Sequence, residues 1–247
     1  MKAIVKVCAL ALTFGFLFSA CSKKDIQIYE NDPRLFFQIP GTGSVALRDS
    51  VIYSFPANPK VTTTDTLWFN ACIMGNAAPV DRIVGIKVNT EKSTAIEGVN
   101  FKIVSKILPA NAFKVRIPVV VYRTGLKDKS VRLQLEVQEN NDFKIGYNRY
   151  NKAIFIWGDK FLKPDIWDTS NYRNAFGTFT ETRYAFILKA CNITELPDPM
   201  NLVQLGYYNA VVRKALNDYN NTPGNTQLTD EMGVVGFPVY TGIGGAG

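Results

Sequence analysis

A mainly β protein, an antiparallel sandwich followed by a small helical unit, is the fold class this sequence predicts, and three observations predict it. Between Arg34 and Trp157, apolar residues recur with period two in one short run after another. Turn-forming residues separate the runs. After Trp157 the period lengthens to that of an amphipathic helix.

The strand-like runs are, in order, "RLFFQI" (34–39), "DSVIYSF" (49–55), "DTLWFNACIM" (65–74) and "RIVGIKV" (82–88). "FKIVSKIL" (101–108), "FKVRIPVVVY" (113–122), "SVRLQLEV" (130–137) and "NKAIFIW" (151–157) follow. In the seventh, Val131, Leu133, Leu135 and Val137 share one face, while Arg132, Gln134 and Glu136 share the other. "PGTG", "GNAAP", "TGLKDK" and "GYN" supply turns between runs. So many strands with no helical pattern between them predict antiparallel pairing in a sandwich rather than βαβ units. Pro118 lacks an N–H, which predicts an edge strand or a bulge at that point. Trp68, within "LWFN", is expected in the core.

The helical unit begins after "WGDKFLKPDIW" (157–167), read as the joint. Thr178 and Glu181 have capping-box spacing, and Tyr184, Ile187, Leu188 and Cys191 then fall on one helical face. Asp198 is the expected cap of a second helix from Pro199 to Asn220, ended by "TPG". The expected organisation is residues 1–20 signal peptide, 21–32 tether, 33–158 sandwich, 159–240 helical unit and 241–247 flexible tail.

Composition excludes several chemistries. Histidine is absent, which removes His-based acid–base catalysis, Ser-His-Asp and Cys-His nucleophiles, and most zinc sites. The net charge is +7, but the basic residues are dispersed and the densest run is only "LKDKSVR", so no nucleic-acid partner is expected. Cys72 and Cys191 lie far apart in apolar runs without CxxC spacing. They could pair in an oxidising compartment, but buried free thiols are the favoured reading. No metal and no cofactor is expected.

The N-terminus reads as an address. Lys2 and Lys6 precede the apolar run "VCALALTFGFLF", which is too short for a bilayer span of ~20 residues. Small residues and then Cys21 follow, and "FSAC" resembles the lipobox of bacterial lipoproteins. That resemblance implies cleavage before Cys21 and acylation of its thiol and its new amino group, giving a stable membrane anchor. Ser22 stands where an aspartate would favour the inner membrane, so the outer membrane is expected. Lys23 and Lys24 precede a lone Asp25 where surface lipoproteins carry an acidic cluster, which leaves the face of the membrane open.

Two wider resemblances follow from motifs. "TAIEGVNFKI", "ILPANAFKVRIPVVVY" and "KSVRLQLEV" succeed one another as in Calx-β-like domains. Ala95, Gly98 and Phe101 match, but Asn100 replaces an aspartate and the calcium-holding carboxylates are not evident, so the fold is implied without the metal. The whole chain resembles a Bacteroidetes outer-membrane lipoprotein family of unknown function with a Calx-β-like or Ig-like first half. The marks are Trp157-Gly158, the helix start Phe176, Gly177, Phe179, Thr180, Arg183 and Tyr184, and the terminal Phe237-Pro238. Members resemble accessory lipoproteins of polysaccharide-uptake systems, which implies glycan handling and outer-membrane transport proteins as partners.

No catalytic motif stands out. "GIGG" and "GTG" lack the strand-to-helix context of a phosphate loop. Glu97, Asp159 and Asp165 are the carboxylates a hydrolase could use, if two were held ~5–10 Å apart. The expected function is non-catalytic glycan binding by a lipid-anchored accessory protein. Its rivals are a structural or protein-interaction subunit of an envelope assembly and a carboxylate-based hydrolase. The joint and helical unit concentrate aromatics, so Trp157, Trp167, Tyr172, Tyr207 and Tyr208 are the expected ligand contacts, with Tyr219 nearby.

Overall fold

Alternation along Thr64–Met74 (β4) sets the architecture. Leu67, Phe69, Ala71 and Ile73 point inward and are buried. The strand pairs antiparallel on one side with Arg34–Pro40 (β1) and on the other with Lys114–Tyr122 (β9). The structure, a computed structural model, describes residues 32–41, 47–48, 50–58, 60, 63–197 and 200–240. Cys21, the signal and the 241–247 tail lie outside the described residues.

The first sheet is completed by Phe101–Ile103 (β7) beside β9, Lys144–Ile145 (β11) beside β1, and Leu47–Arg48 (β2) also on β1. The second sheet runs in the order Ser50–Ser54 (β3), Lys152–Gly158 (β12), Ser130–Val137 (β10) and Ile86–Val88 (β6). Phe37, Phe69 and Phe101 from the first sheet meet Phe155 and Trp157 from the second in one core. Edge-on ring pairs span the gap, Phe69–Phe155 at 5.9 Å and Phe101–Trp157 at 6.4 Å. Each such pair adds about 0.5–1.5 kcal/mol beyond the area it buries.

Among the described strands the sandwich is mostly antiparallel, and two pairings depart from the expected antiparallel arrangement by being parallel: β3 with β12, and β1 with β11. Strands so far apart in sequence are free of the hairpin constraint that makes close neighbours antiparallel. "RIVGIKV" and "FKIVSKIL" each break in two. Arg82–Ile83 (β5) pairs with Ile107–Leu108 (β8) as a separate ribbon, while β6 and β7 join opposite sheets. Pro118 lies in neither an edge strand nor a bulge. β9 has neighbours on both sides, but β7 leaves its ladder one residue away, and the Pro118 carbonyl accepts from Val104 N at 3.2 Å. The missing N–H therefore faces the side where pairing has just ended.

Beyond Gly158 the described residues form three α-helices, Ser170–Phe176 (α1), Glu181–Cys191 (α2) and Leu202–Asn220 (α3). None among the described residues is long and apolar enough to cross a membrane. Two caps differ from expectation. Thr180, not Thr178, caps α2, accepting from Arg183 N at 3.0 Å. Asn201, not Asp198, caps α3 in a reciprocal box with Gln204; Asp198 lies outside the described residues. α1 was not expected, because seven residues are too short to show a helical period. A second hydrophobic cluster, from Trp167 to Val212, holds the helices together. Sandwich and helices form one unit, joined by Leu162 N to Ser54 Oγ at 2.8 Å and Ser50 Oγ to Asp165 at 2.7 Å.

The helix start made by Phe176, Gly177, Phe179, Thr180, Arg183 and Tyr184 is the keystone of this helical cluster. Trp167 donates its indole N–H to the Gly177 carbonyl at 3.0 Å. Gly177 has φ 78°, and a Cβ there would sit 2.4 Å from Arg183 Nη1, so only glycine fits. The Arg183 guanidinium is buried, donating to the Thr178 carbonyl at 3.0 Å and lying 3.5 Å from Asp230. Asp230 sits in a short hairpin, Thr229–Asp230 (β13) with Gly233–Val234 (β14), and also accepts from Thr180 Oγ1 at 2.8 Å. Phe237 packs under the guanidinium, and the Pro238 carbonyl accepts from Asn209 at 2.9 Å. Asp230→Ala should therefore lower unfolding free energy by about 3–5 kcal/mol, since it strands a buried cation. Replacing both partners with apolar residues, Arg183→Met with Asp230→Leu, should cost less than either single change in the same urea titration.

Candidate functional site

The aromatics expected to meet ligand are mostly covered by protein. Trp157 is fully buried in the sandwich, where its indole donates to the Tyr122 carbonyl at 3.3 Å. Trp167 is fully buried among Phe176, Phe179 and Tyr184. Tyr172 is buried, with its hydroxyl on the Pro197 carbonyl. These three offer no ring face and are corrected to core residues. For Trp157 the reason is strand parity, since it shares the inward face of β12 with Ala153 and Phe155. For Trp167 and Tyr172 it is the helical unit's small size, since that unit spends its aromatics on its own interior. Tyr208 is half-buried against that core and edge-on to Tyr207 at 5.5 Å. Tyr207 is 65% exposed, and Tyr219 is exposed beside Phe186.

Trp68 is the opposite correction. It was expected in the core, yet it lies on the outer face of the first sheet, 36% exposed. Parity decides this: Leu67 and Phe69 on either side point inward, so Trp68 must point out. The polar residues Thr66 and Asn70, which share its parity, were the signal in the sequence. The register places its neighbours on the same face. Trp68 stands opposite Pro118, and the adjacent row is Gln38, Asn70 and Arg116. Thr66, Val120 and Lys102 form the row on the other side. Arg116 lays its guanidinium over the indole, 4.3 Å from the ring centroid. The result is an outward sheet surface with one indole, two amides and several cations, held on the two longest described strands.

A cleft of about 490 Å³ lies between β3 and the joint, lined in part by Ser50, Tyr53, Asn58, Asp165, Tyr184 and Glu195. Tyr53 donates to Asp65 at 2.5 Å, and burial together with that bond holds its phenol well above the usual range. Burial does the same to Tyr184. Neither ring is an available proton donor near neutral pH. Of the three carboxylates named from sequence, Asp159 is paired with Arg123 at 2.6 Å, Asp165 accepts from Ser50, and Glu97 is exposed at an isolated bridge to Phe101. The structure does not bring these three into one site. Among the described residues, no three His, Cys, Asp or Glu side chains cluster to hold a metal ion. Asn100, at the aspartate position of the Calx-β pattern, is buried and accepts from Ile96 N at 2.9 Å, building the turn.

Cys72 and Cys191 are both free thiols. Burial raises both, Cys191 to about 11. At pH 8 roughly one Cys191 in a thousand is then thiolate, the reactive form. The folded chain should thus resist iodoacetamide at these two positions at pH 8 and become labelled once guanidinium unfolds it, as read by mass spectrometry of tryptic peptides.

The sandwich is similar to three solved structures, all at low identity. One is the apo form of the Calx CBD1 domain, at TM-score 0.34 and 14% identity, covering 53% of this chain and 100% of that one. Another is the CBD12 fragment of CALX1.2, at TM-score 0.33 and 13% identity, covering 51% and 45%. The third is a candidate carbohydrate-binding protein from Bacteroides ovatus, at TM-score 0.33 and 14% identity, covering 51% and 36%. The chain thus spans less than half of the CBD12 fragment and of the Bacteroides protein. No curated protein matches it. The family described as a domain of unknown function (DUF4843) matches residues 29–193, a span that takes in the sandwich and the helices α1 and α2. This chain belongs to that family.

Proposed function

We propose that this chain is a lipid-anchored outer-membrane protein that binds glycan without cleaving it, as an accessory to an uptake system. The observation that carries the binding reading is Trp68: a large aromatic kept outward on a paired strand, beside the row that holds the amides of Asn70 and Gln38 and the guanidinium of Arg116. Sugar rings present C–H faces that lie against an aromatic π-face, which is electron-rich. Their hydroxyls are met by amide and guanidinium groups that both orient and select. Placing the indole on β4 rather than on a loop keeps this geometry pre-organised and limits the entropy lost on binding.

The anchor rests on the N-terminal segment alone, a basic start, a short apolar run, small residues and Cys21. With Cys21→Ala the protein should leave the membrane fraction for the soluble one; persistence in the membrane would remove the anchor from this reading.

Full-length protein in mild detergent should bind at least one polysaccharide of a broad panel saturably. Trp68→Ala should weaken that binding by about tenfold or more with little change in stability, because the site is on the surface. Tyr207→Ala, on an exposed helix face, is the comparison. Loss with Tyr207 but not Trp68 would move the site to α3, and no binding by the parent would defeat the glycan reading. An open apolar groove of about 810 Å³ between α2 and α3, lined by Phe161, Phe186, Ala190 and Tyr219 among others, favours the rival role of a protein-interaction subunit.

A further inference from the structure

We infer that the glycan recognised at Trp68 is acidic, a polymer carrying carboxylates on its sugar rings; this inference rests on the glycan-binding reading of the same face. The argument is from charge. The outward positions of the first sheet are Arg34, Phe36, Gln38 and Pro40 on β1, and alternate residues from Thr64 to Met74 on β4. Alternate residues from Lys114 to Tyr122 on β9, and Lys102 on β7, complete the face. None of these positions is acidic.

Three of the face's cations, Lys102, Lys114 and Arg116, form no ion pair among the described residues, and all three are exposed. At the far end, Asp32 is already shared by Arg34 at 2.8 Å and Lys144 at 3.1 Å, so it does not discharge the cations around the indole. The opposite sheet differs. There Glu136 stands on the outer side of β10, with Lys87 at 3.5 Å and Asn89 donating to it at 2.6 Å. Lys87, Arg132 and Lys152 also stand on that outer side, so both faces are positive, and the larger surplus, with no acid among its outward positions, is on the face that carries the exposed indole.

Its spacing suits a repeating acidic polymer. Lys114 stands opposite Cys72 and Lys102 opposite Val120, on either side of the Trp68 and Asn70 rows. Successive same-face rows along a strand are two residues apart, or ~6–7 Å. The cations therefore bracket the indole along the strand direction instead of crowding one point. Arg116, held over the indole at 4.3 Å, offers a fork that pairs a carboxylate with two parallel N–H bonds beside the indole. A neutral glycan would leave all three charges unused.

The test uses full-length protein in mild detergent and two versions of one polymer: alginate, and alginate whose carboxylates have been reduced to alcohols. The expected result is saturable binding to alginate that falls about tenfold or more on carboxyl reduction, weakens with added salt, and is lost in Trp68→Ala and in Arg116→Gln. Arg213→Gln, on the outside of α3, removes the same charge elsewhere and should leave binding unchanged. Equal binding to both polymers, lost in Trp68→Ala, would overturn the acidic class and leave the glycan reading standing. Binding that survives Trp68→Ala, or falls equally in Arg213→Gln, would show general attraction to a basic protein and overturn the inference. Binding to neither, when other polysaccharides bind through Trp68, overturns only the acidic class. Failure with every polysaccharide overturns both.

Discussion

The constraint on which the rest of the structure depends is the two-residue repeat of β4. An eleven-residue strand paired on both sides has no freedom to turn a side chain from one face to the other. Leu67, Phe69, Ala71 and Ile73 are therefore committed to the core, each large side chain contributing about 1.5–3 kcal/mol by burial. Trp68 is committed to the outside by the same rule. Core and candidate site are opposite faces of one strand. A change that slipped the register by a residue would empty the core and bury the site together.

The helical unit follows a different logic, because its core is small and polar groups hold it in place. Arg183 is the pivot: its guanidinium satisfies the Thr178 carbonyl, approaches Asp230 in the hairpin and rests on Phe237. Thr180 serves twice, capping α2 with its oxygen and donating its hydroxyl hydrogen to Asp230. Burying an ion pair adds little net stability, but its geometry admits few alternatives, which suits a unit with too little apolar area to specify its own packing. The motif that marks this part of the chain is accordingly a folding device. It is a poor guide to chemistry, because its groups are already occupied with one another. Trp157-Gly158 is similar in kind: a Cβ at Gly158 would lie 2.4 Å from the Lys129 carbonyl, so the glycine records a close backbone approach.

The long strands were legible from sequence because their alternation is strict, and β1, β4, β9, β10 and β12 fall within a residue or two of their expected ranges. The short pieces were not. "RIVGIKV" reads as one strand, but its halves join different partners, and the break is set by what lies across from it. The parallel pairing of β3 with β12 leaves no local mark either, since nothing in either run says which distant strand will meet it. The caps went astray by two or three residues, because Thr178, Thr180, Asp198 and Asn201 are all competent residue types and only the backbone chooses among them. The candidate site shows the same divide. Trp68 could have been placed by parity with Thr66 and Asn70. Trp167 could not, because a short 3₁₀ turn carries no period from which burial can be read.

The first sheet combines exposure with a long, continuous ladder between β4 and β9. The cleft beside β3 is more enclosed, but its polar groups are largely engaged: Ser50 with Asp165, Ser54 with Leu162, and Tyr53 with Asp65. A ligand entering there must exchange bonds already made, so each new contact is offset by one lost. On the sheet face, Lys102 and Lys114 are exposed and form no ion pair among the described residues, and Arg116 is held by an aromatic ring instead of a carboxylate. Solvated cations beside a fixed indole give up water, rather than protein partners, when an anionic ring arrives. That difference in what must be surrendered is the physical reason to look for recognition on the open sheet before the cleft.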